Sequence, residues 1–125
     1  MANILIFEDE ADIAELYRLE LEDRGHRVLG IYADPDEVLQ PIDALQLVHA
    51  PDLILLDDRL GSLSGLKFLK KLRRAFPKAR ILMVSADPDA LDSGLSGGAH
   101  GIAKKPIPFK RLAQEIESML VPPAS

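Results

Sequence analysis

The chain has 125 residues, of which 47% are hydrophobic and 28% are charged, a composition that favours one ordinary globular domain over a disordered segment. Its 20 acidic residues outnumber the 15 basic residues, for a formal net charge of −5. This balance argues against a nucleic-acid or anionic-membrane surface, since both need clustered Lys and Arg, and we expect no basic stripe. Cysteine is absent, which excludes disulfide scaffolds, thiolate metal sites and cysteine nucleophiles.

The chain begins with three residues that lead directly into the apolar segment Ile4-Leu5-Ile6-Phe7. It shows no charged leader and no apolar run near the length of about 18 residues that a membrane span needs. We therefore expect a soluble cytoplasmic protein. The expected domain covers residues 1–121, and residues 122–125 are expected to form a frayed tail or the stub of a linker.

Short apolar runs alternate with longer segments of helical periodicity, a pattern typical of a parallel sheet with helices on both faces. The first strand is expected over Ile4–Phe7, and the first helix runs from Glu10 to a stop signal at Gly25. A second strand is expected over Arg27–Tyr32. Asp34-Pro35-Asp36-Glu37 then supplies an N-cap, a proline at the first helical position and a glutamate at the third, which predicts a second helix toward His49.

The second half of the chain continues the same alternation. Leu53–Leu56 is continuously apolar and suits a central strand covered on both faces. The remaining expected elements are a helix between Ser64-Gly65 and Pro77, a strand over Ile81–Val84, a short glycine-weakened helix over Pro88–Ser96 capped by Asp87, a minimal strand over Gly101–Ala103 and an amphipathic helix over Phe109–Leu120.

Polar residues follow the predicted strands at the points where the strands end. Glu8 and Asp9 follow the first strand, Asp57 and Asp58 the third, Ser85 the fourth, and Lys104 and Lys105 the fifth. The carboxyl ends of parallel strands share one edge, where open α/β sheets bind their ligands. Because the first and third strands are neighbours in a doubly wound sheet, we expect Glu8, Asp9 and Asp57 to converge in one acidic cluster.

Such a cluster of like charges is unfavourable unless a cation neutralises it. Mg²⁺ prefers hard oxygen ligands, and it usually takes one or two carboxylates together with waters and phosphate oxygens. A phosphate is therefore the natural second ligand. Ser85 could donate a hydrogen bond to this phosphate, and a lysine after the last strand could offset its charge.

These segments together resemble the response-regulator receiver domain of two-component signalling. The matching pieces are Ile4-Leu5-Ile6-Phe7-Glu8-Asp9-Glu10, Pro51-Asp52-Leu53-Ile54-Leu55-Leu56-Asp57, Val84-Ser85-Ala86 and Lys105-Pro106, in that order. The resemblance spans about residues 3 to 120, and we expect the stand-alone, single-domain type. It implies a flavodoxin-like doubly wound sheet of five parallel strands in the order 2-1-3-4-5, with helices on both faces.

The resemblance also implies a role for each matching residue. Asp57 would accept a phosphoryl group from a histidine kinase or a histidine phosphotransfer protein. Asp9 would bind Mg²⁺ directly, Glu8 would act mostly through metal-bound water, and Arg59 would offer its backbone carbonyl. Ser85 and Lys105 would bind the phosphoryl oxygens, with a cis Lys105–Pro106 bond. The protein would be a switch rather than an enzyme, with catalysis limited to its own phosphorylation and dephosphorylation.

Three positions depart from the family pattern, and two others would affect how long the phosphoryl group persists. Gly61 stands where a proline is usual, Ile102 replaces the common switch aromatic, and Asp58 follows the acceptor where a large apolar residue is frequent. The resemblance places Arg59 and Asp87 beside the path of the hydrolytic water, where an ion pair between them would slow dephosphorylation.

Signalling in the family uses the face made by the helix over Pro88–Ser96, the strand over Gly101–Ala103 and the helix over Phe109–Leu120, and a homodimer through this face is possible. The downstream partner would be another protein, with no nucleic acid and no membrane. A phosphorylation-independent receiver-like scaffold is the main alternative, because the switch aromatic is missing. A phosphohydrolase of the haloacid dehalogenase type would need a second aspartate where Arg59 stands, which disfavours it.

Overall fold

The described part of the chain contains eleven secondary-structure elements, and its strands position the polar residues. The computed structural model describes residues 2–33, 50–60 and 63–120. In chain order the elements are β1 (Asn3–Phe7), α1 (Ala11–Asp23), β2 (Arg27–Tyr32), β3 (Leu53–Asp57), β4 (Arg59–Leu60), β5 (Leu63–Ser64), α2 (Gly65–Ala75), β6 (Arg80–Ser85), α3 (Pro88–Ser96), β7 (Gly101–Lys104) and α4 (Phe109–Leu120).

Five of the strands form one parallel sheet in the order β2-β1-β3-β6-β7. Counted along the chain within this sheet, the order is 2-1-3-4-5, and the fold predicted from the sequence is confirmed. All five residues of the central strand β3 are buried, as expected for a strand covered on both faces. The register sets Asp57 opposite Val84 and Ser85 opposite Lys104, so the polar ends of these strands lie side by side.

The alternation of side chains along β1 divides the core between the two faces of the sheet. Ile4 and Ile6 pack into a cluster that includes residues of α1 and α4. Leu5 and Phe7 point to the other face, into a cluster that includes residues of α2. This period of two is the normal consequence of strand geometry, and it leaves both faces of the sheet covered by helices.

Most predicted boundaries agree with the structure to within one or two residues. The helix predicted over Pro88–Ser96 has those limits, and the Asp87 side chain accepts a hydrogen bond from the Asp89 backbone N–H at 3.0 Å as its N-cap. The antiparallel pair of β4 and β5 was not predicted. The helix predicted toward His49, Gly61 and the tail at residues 122–125 lie outside the described residues.

Charge is distributed very unevenly along the chain, and the expectation of no basic stripe is wrong. Residues 59–86 hold eight of the 15 basic residues and no acidic residue. Five of the eight are exposed in the structure, on α2 or just after it: Lys70, Lys71, Arg73, Arg74 and Lys78. The acidic total of the whole chain concealed this basic segment, because a sum carries no information on position.

None of the helices in the described ranges combines the length and the apolar character that a membrane span requires.

Candidate functional site

The predicted acidic cluster forms where β1 and β3 end. Glu8 follows β1 directly, and Asp57 is the last residue of β3. One carboxylate oxygen from each of Glu8, Asp9 and Asp57 lies within 4.8 Å of the other two. Glu8 and Asp57 are buried, with 1% and 6% exposure, whereas Asp9 is exposed. The site is therefore a buried pair of carboxylates with a third carboxylate at its solvent side.

Lys105 supplies the positive charge that faces these carboxylates. It follows β7, and its Nζ lies 2.8 Å from Asp57 Oδ2 and 3.6 Å from Glu8 Oε1. The bond from Lys105 to Pro106 is cis, as the resemblance implied. The lysine reaches the cluster because β7 and β3 are both parallel partners of β6 and so end at the same edge.

Burial and neighbouring charges together shift the pKa of two of these groups. Burial raises the pKa of Glu8 to about 8, and hydrogen bonding to Asp57 and its charge act in the same direction. Burial alone would lower the pKa of Lys105, but its hydrogen bond to Asp57 and the charges of the carboxylates raise it overall. Burial and Asp57 thus favour a proton on Glu8 in the metal-free site, and the carboxylates favour the charged form of Lys105.

Ser85 is the buried last residue of β6, on the same edge of the sheet. Its Oγ accepts a hydrogen bond from the Asp87 backbone N–H at 2.9 Å, which leaves the hydroxyl hydrogen available as a donor. The backbone carbonyl of Ser85 accepts a bond from the Lys105 N–H at 2.8 Å. The strand end that carries the hydroxyl is thus tied directly to the residue that carries the ammonium.

The donor set of this cluster fits a divalent cation. Carboxylate oxygens are hard ligands of the kind that Mg²⁺ prefers. Glu8 Oε1 is buried, and no group in the described part of the chain makes a hydrogen bond to it, although burial of an unbonded polar atom is costly. A cation with its bound water would satisfy this oxygen and offset the repulsion between the carboxylates.

Tyr17 of α1 is a neighbour of the site that sequence reasoning assigned only to the core. Burial raises its pKa to about 12, and the charges of Lys105, Glu8 and Asp57 all act on it. Its ring packs edge to face on Phe109, with centroids 5.3 Å apart. Both rings and Lys105 line a cavity of about 410 Å³, completed by Ile13, Ala86, Pro106 and Ile107. Helical spacing alone could not distinguish this position from an ordinary core residue.

Comparisons with known proteins agree with this geometry. The family model described as the response regulator receiver domain matches residues 4–117. Response regulator ArlR of Staphylococcus aureus is 32% identical over 122 residues, which cover 96% of this chain and 53% of that protein. The chain thus spans about half the length of the curated relatives that it matches.

Solved structures show the same likeness. The receiver domain protein (CheY-like) of Methanospirillum hungatei superposes with a TM-score of 0.81 at 25% identity, covering 96% of this chain and 94% of the other. NtrX of Brucella abortus gives a TM-score of 0.80 at 31% identity over 95% of this chain and 26% of its own. The chain belongs to the response regulator receiver domain family. Members of this family are signalling proteins that interact with histidine kinases or phosphotransfer proteins.

Proposed function

We propose that Asp57 accepts a phosphoryl group from a phosphohistidine of a kinase or phosphotransfer protein in a Mg²⁺-dependent reaction. The observation that carries this proposal is the contact of 2.8 Å between Lys105 Nζ and the buried carboxylate of Asp57, within a cluster of three acidic residues. An oxygen nucleophile beside a fixed ammonium, with further carboxylates to hold a metal, is what phosphoryl transfer requires.

The reaction is an in-line displacement at phosphorus. An oxygen of the Asp57 carboxylate forms the new O–P bond while the N–P bond of the phosphohistidine breaks, and its electron pair returns to the imidazole nitrogen. The product is an acyl phosphate on Asp57. Lys105 Nζ, already beside Asp57 Oδ2, offsets charge on the transferred group, and the hydroxyl of Ser85 can donate to one of its oxygens.

The metal would be held by Asp9 and Asp57, by Glu8 mostly through water, and by the backbone carbonyl of Arg59. When bound, Mg²⁺ supplies positive charge that neutralises the phosphoryl oxygens. The role of Arg59 rests on the family resemblance, whereas the three carboxylates are also supported by their convergence within 4.8 Å.

Intact-mass measurement after incubation with Mg²⁺ and acetyl phosphate tests the proposal. We expect the mass of one phosphoryl group on the parental chain and none on Asp57→Asn or in excess EDTA. Asp58→Asn is the matched control, since it removes the neighbouring carboxylate, and it should still be phosphorylated. Phosphorylation of Asp57→Asn, or loss of phosphorylation only in Asp58→Asn, would contradict the assignment of the acceptor.

A phosphorylation-independent scaffold is the second candidate, and Ile102 favours it. This partly buried side chain packs against the core cluster under α2 and stands where the family often has the aromatic switch. If the chain is a scaffold, partner affinity should be the same for the parental chain and Asp57→Asn, with and without phosphodonor. The complete acidic site, in which Glu8 Oε1 is buried without a hydrogen bond, supports the phosphoacceptor proposal instead.

The phosphodonor protein would approach over the open cavity beside Lys105, since this apolar surface adjoins the acceptor carboxylate. Phosphorylation replaces the single carboxylate charge of Asp57 with a phosphoryl group of about −1.5 to −2 units. We infer that the resulting change reaches the face formed by α3, β7 and α4, where Leu95 is 51% exposed. Sedimentation with and without beryllofluoride tests whether this face forms a homodimer, and Leu95→Asp should abolish any such dimer.

The same proposal locates the chain in the cytoplasm, where a kinase has access to ATP. Fractionation of cells that express the chain with a small tag tests this location. Recovery of the chain in a membrane or secreted fraction would contradict it.

A further inference from the structure

The exposed basic residues of α2 form a surface that the phosphorylation site does not use. Here the α2 basic surface means Lys70, Lys71, Arg73 and Arg74 with Lys78, which follows the helix. The buried residues of the same helix are Phe68, Leu69 and Leu72. At 100° per residue, positions 70 and 74 lie directly opposite these three, and positions 71 and 73 flank them. The surface therefore faces solvent over the second half of the helix and just beyond its end.

No ion pair neutralises the α2 basic surface within the described part of the chain. On α1, by contrast, Arg18 pairs with both Glu15 and Glu22. On α4, Arg111 pairs with Glu115 at 3.2 Å. The α2 sequence contains no acidic residue with which to form such pairs, although the chain as a whole has an acidic excess.

Like charges stand at helical neighbour spacing within this surface. Lys70 is three residues from Arg73 and four from Arg74, and Lys71 is three from Arg74. Like-charge pairs at these spacings destabilise a helix. The charges of Arg73 and Arg80 also add to the effect of burial in lowering the pKa of His100. The free chain thus carries a repulsion that an external anion would relieve.

Arg73 links this surface to the helix that follows β6. Its guanidinium fills the space where a Cβ at Gly98 would stand. Gly98 has a φ of +114° and lies just after the end of α3, where the helix dipole favours a cation. Arg73 therefore has a packing role of its own, and the free charges are those of Lys70, Lys71, Arg74 and Lys78.

We propose that the α2 basic surface is a docking site for an acidic segment of a partner protein. Positions 70 to 74 span about 6 Å of the helix axis, and Lys78 extends the surface beyond the end of the helix, so the segment would offer several Asp or Glu side chains within about two helical turns. The contact is electrostatic, and it should weaken as salt rises.

Two observations favour an acidic protein segment over a nucleic acid. All six aromatic residues lie in the described ranges, and none of them is exposed, so no ring is available to stack on bases. Outside residues 59–86 the chain has 20 acidic and seven basic residues. A long polyphosphate that extends beyond α2 would therefore meet a mostly acidic surface.

The test uses the full unphosphorylated chain and a fluorescent synthetic peptide of about 20 residues, half of them Glu. Anisotropy gives its affinity in about 50 mM salt, and amide chemical shifts locate its contact. The triple variant Lys70→Gln, Lys71→Gln, Arg74→Gln spares Arg73 and retains good helix formers. We expect shifts centred on residues 70–78, and affinity at least about tenfold weaker in the triple variant.

The matched control is Arg27→Gln, Lys110→Gln, Arg111→Gln, which removes the same charge from exposed residues elsewhere. It should change the affinity less than about twofold. Equal losses in the two triple variants would overturn the proposal, because they would show only a response to net charge. Tighter binding of a DNA strand of equal charge, or of anionic vesicles, to residues 70–78 would overturn it in favour of those partners. Phosphorylation of Asp57 enters neither measurement, so the result is independent of the proposed function.

Discussion

The parallel strands of the central sheet have their carboxyl ends at one side, the carboxyl edge, and their amino ends at the other, the amino edge. Both edges are rich in charged side chains, but the charges are arranged in opposite ways. At the carboxyl edge, Glu8, Asp9 and Asp57 converge, and Glu8 Oε1 stays buried without a hydrogen bond. At the amino edge, opposite charges alternate. Arg24 lies between Glu20, at 3.1 Å, and Glu117, at 2.6 Å.

The amino-edge network also holds the start of β1. His26 Nδ1 accepts a hydrogen bond from the Ala2 backbone N–H at 3.2 Å, and His26 Nε2 lies 3.0 Å from Glu117 Oε2. One carboxylate of α4 thereby ties together the end of α1 and the segment that leads into β2. The charges of the amino edge stabilise the fold, whereas the carboxyl edge keeps an unfavourable charge pattern that a bound cation can relieve.

The largest expected effect follows from removing the exposed carboxylate of the carboxyl edge. Asp9→Ala should weaken Mg²⁺ binding by about a hundredfold or more, because even residues that only support a metal ligand cost about 10- to 100-fold. Phosphorylation should slow in parallel. Millimolar Mg²⁺ should raise the melting temperature of the parental chain, since it binds the folded site, and should leave that of Asp9→Ala unchanged. An unaltered metal affinity in Asp9→Ala would remove Asp9 from the site.

A substitution at the amino edge should lower the stability of the fold and leave phosphorylation nearly unchanged. His26→Ala removes a side chain that is only 8% exposed, leaves the Ala2 N–H without its acceptor and leaves Glu117 with Arg24 alone. We expect a loss of about 1–2 kcal/mol in the free energy of unfolding, measured by urea titration. The rate of phosphorylation should stay within about twofold of the parental rate. A large fall in that rate would show that the two edges are coupled.

The two edges should also respond to pH with opposite signs. The pKa of Glu8 is raised to about 8, so between about pH 5 and pH 8 the folded state holds a proton that the unfolded chain has lost. Metal-free stability therefore falls as the pH rises through this window. Hydrogen bonds from His26 and Arg24 lower the pKa of Glu117. Its contribution is present above the ordinary carboxyl pKa and is lost as the pH falls through the lowered value.

Urea midpoints measured in EDTA from pH 5 to pH 8 separate these contributions. Glu8→Gln should flatten the decline with pH and raise the stability of the metal-free chain near pH 8. Glu117→Gln should lower stability at every pH in this window and leave the decline in place. A parental slope that persists in Glu8→Gln would assign the proton to another group.

The carboxyl edge was predictable from the sequence because its residues are adjacent to strong strand signals. Glu8 and Asp57 each end an unbroken apolar run, and parallel strands bring such ends together whatever the intervening loops do. Asp87-Pro88 marked the start of α3 for a similarly local reason. Helical spacing placed Tyr17 in the core and did not show that it borders the site.

The amino edge and the β4–β5 pair were not predictable in the same way. Arg24 and Glu117 are 93 residues apart, and no local pattern pairs them. Arg59–Leu60 and Leu63–Ser64 are two residues each, too short to show a period of two. The α2 basic surface was visible in the sequence as a segment without acidic residues, and only averaging over the whole chain hid it.

The smallest expected effect concerns Asp87, an acidic residue at the carboxyl edge whose side chain already has a hydrogen-bond partner. Its Oδ1 accepts the Asp89 N–H at 3.0 Å, and the family resemblance also assigns it, with Arg59, to shielding the acyl phosphate from water. Asp87→Ala should lower stability by about 1 kcal/mol through loss of the cap and speed dephosphorylation a few-fold. Asp87→Asn keeps a capping oxygen but loses the charge that Arg59 would pair with. It should therefore retain parental stability and still dephosphorylate faster. A parental rate in Asp87→Asn would mean that this carboxylate serves only as a helix cap.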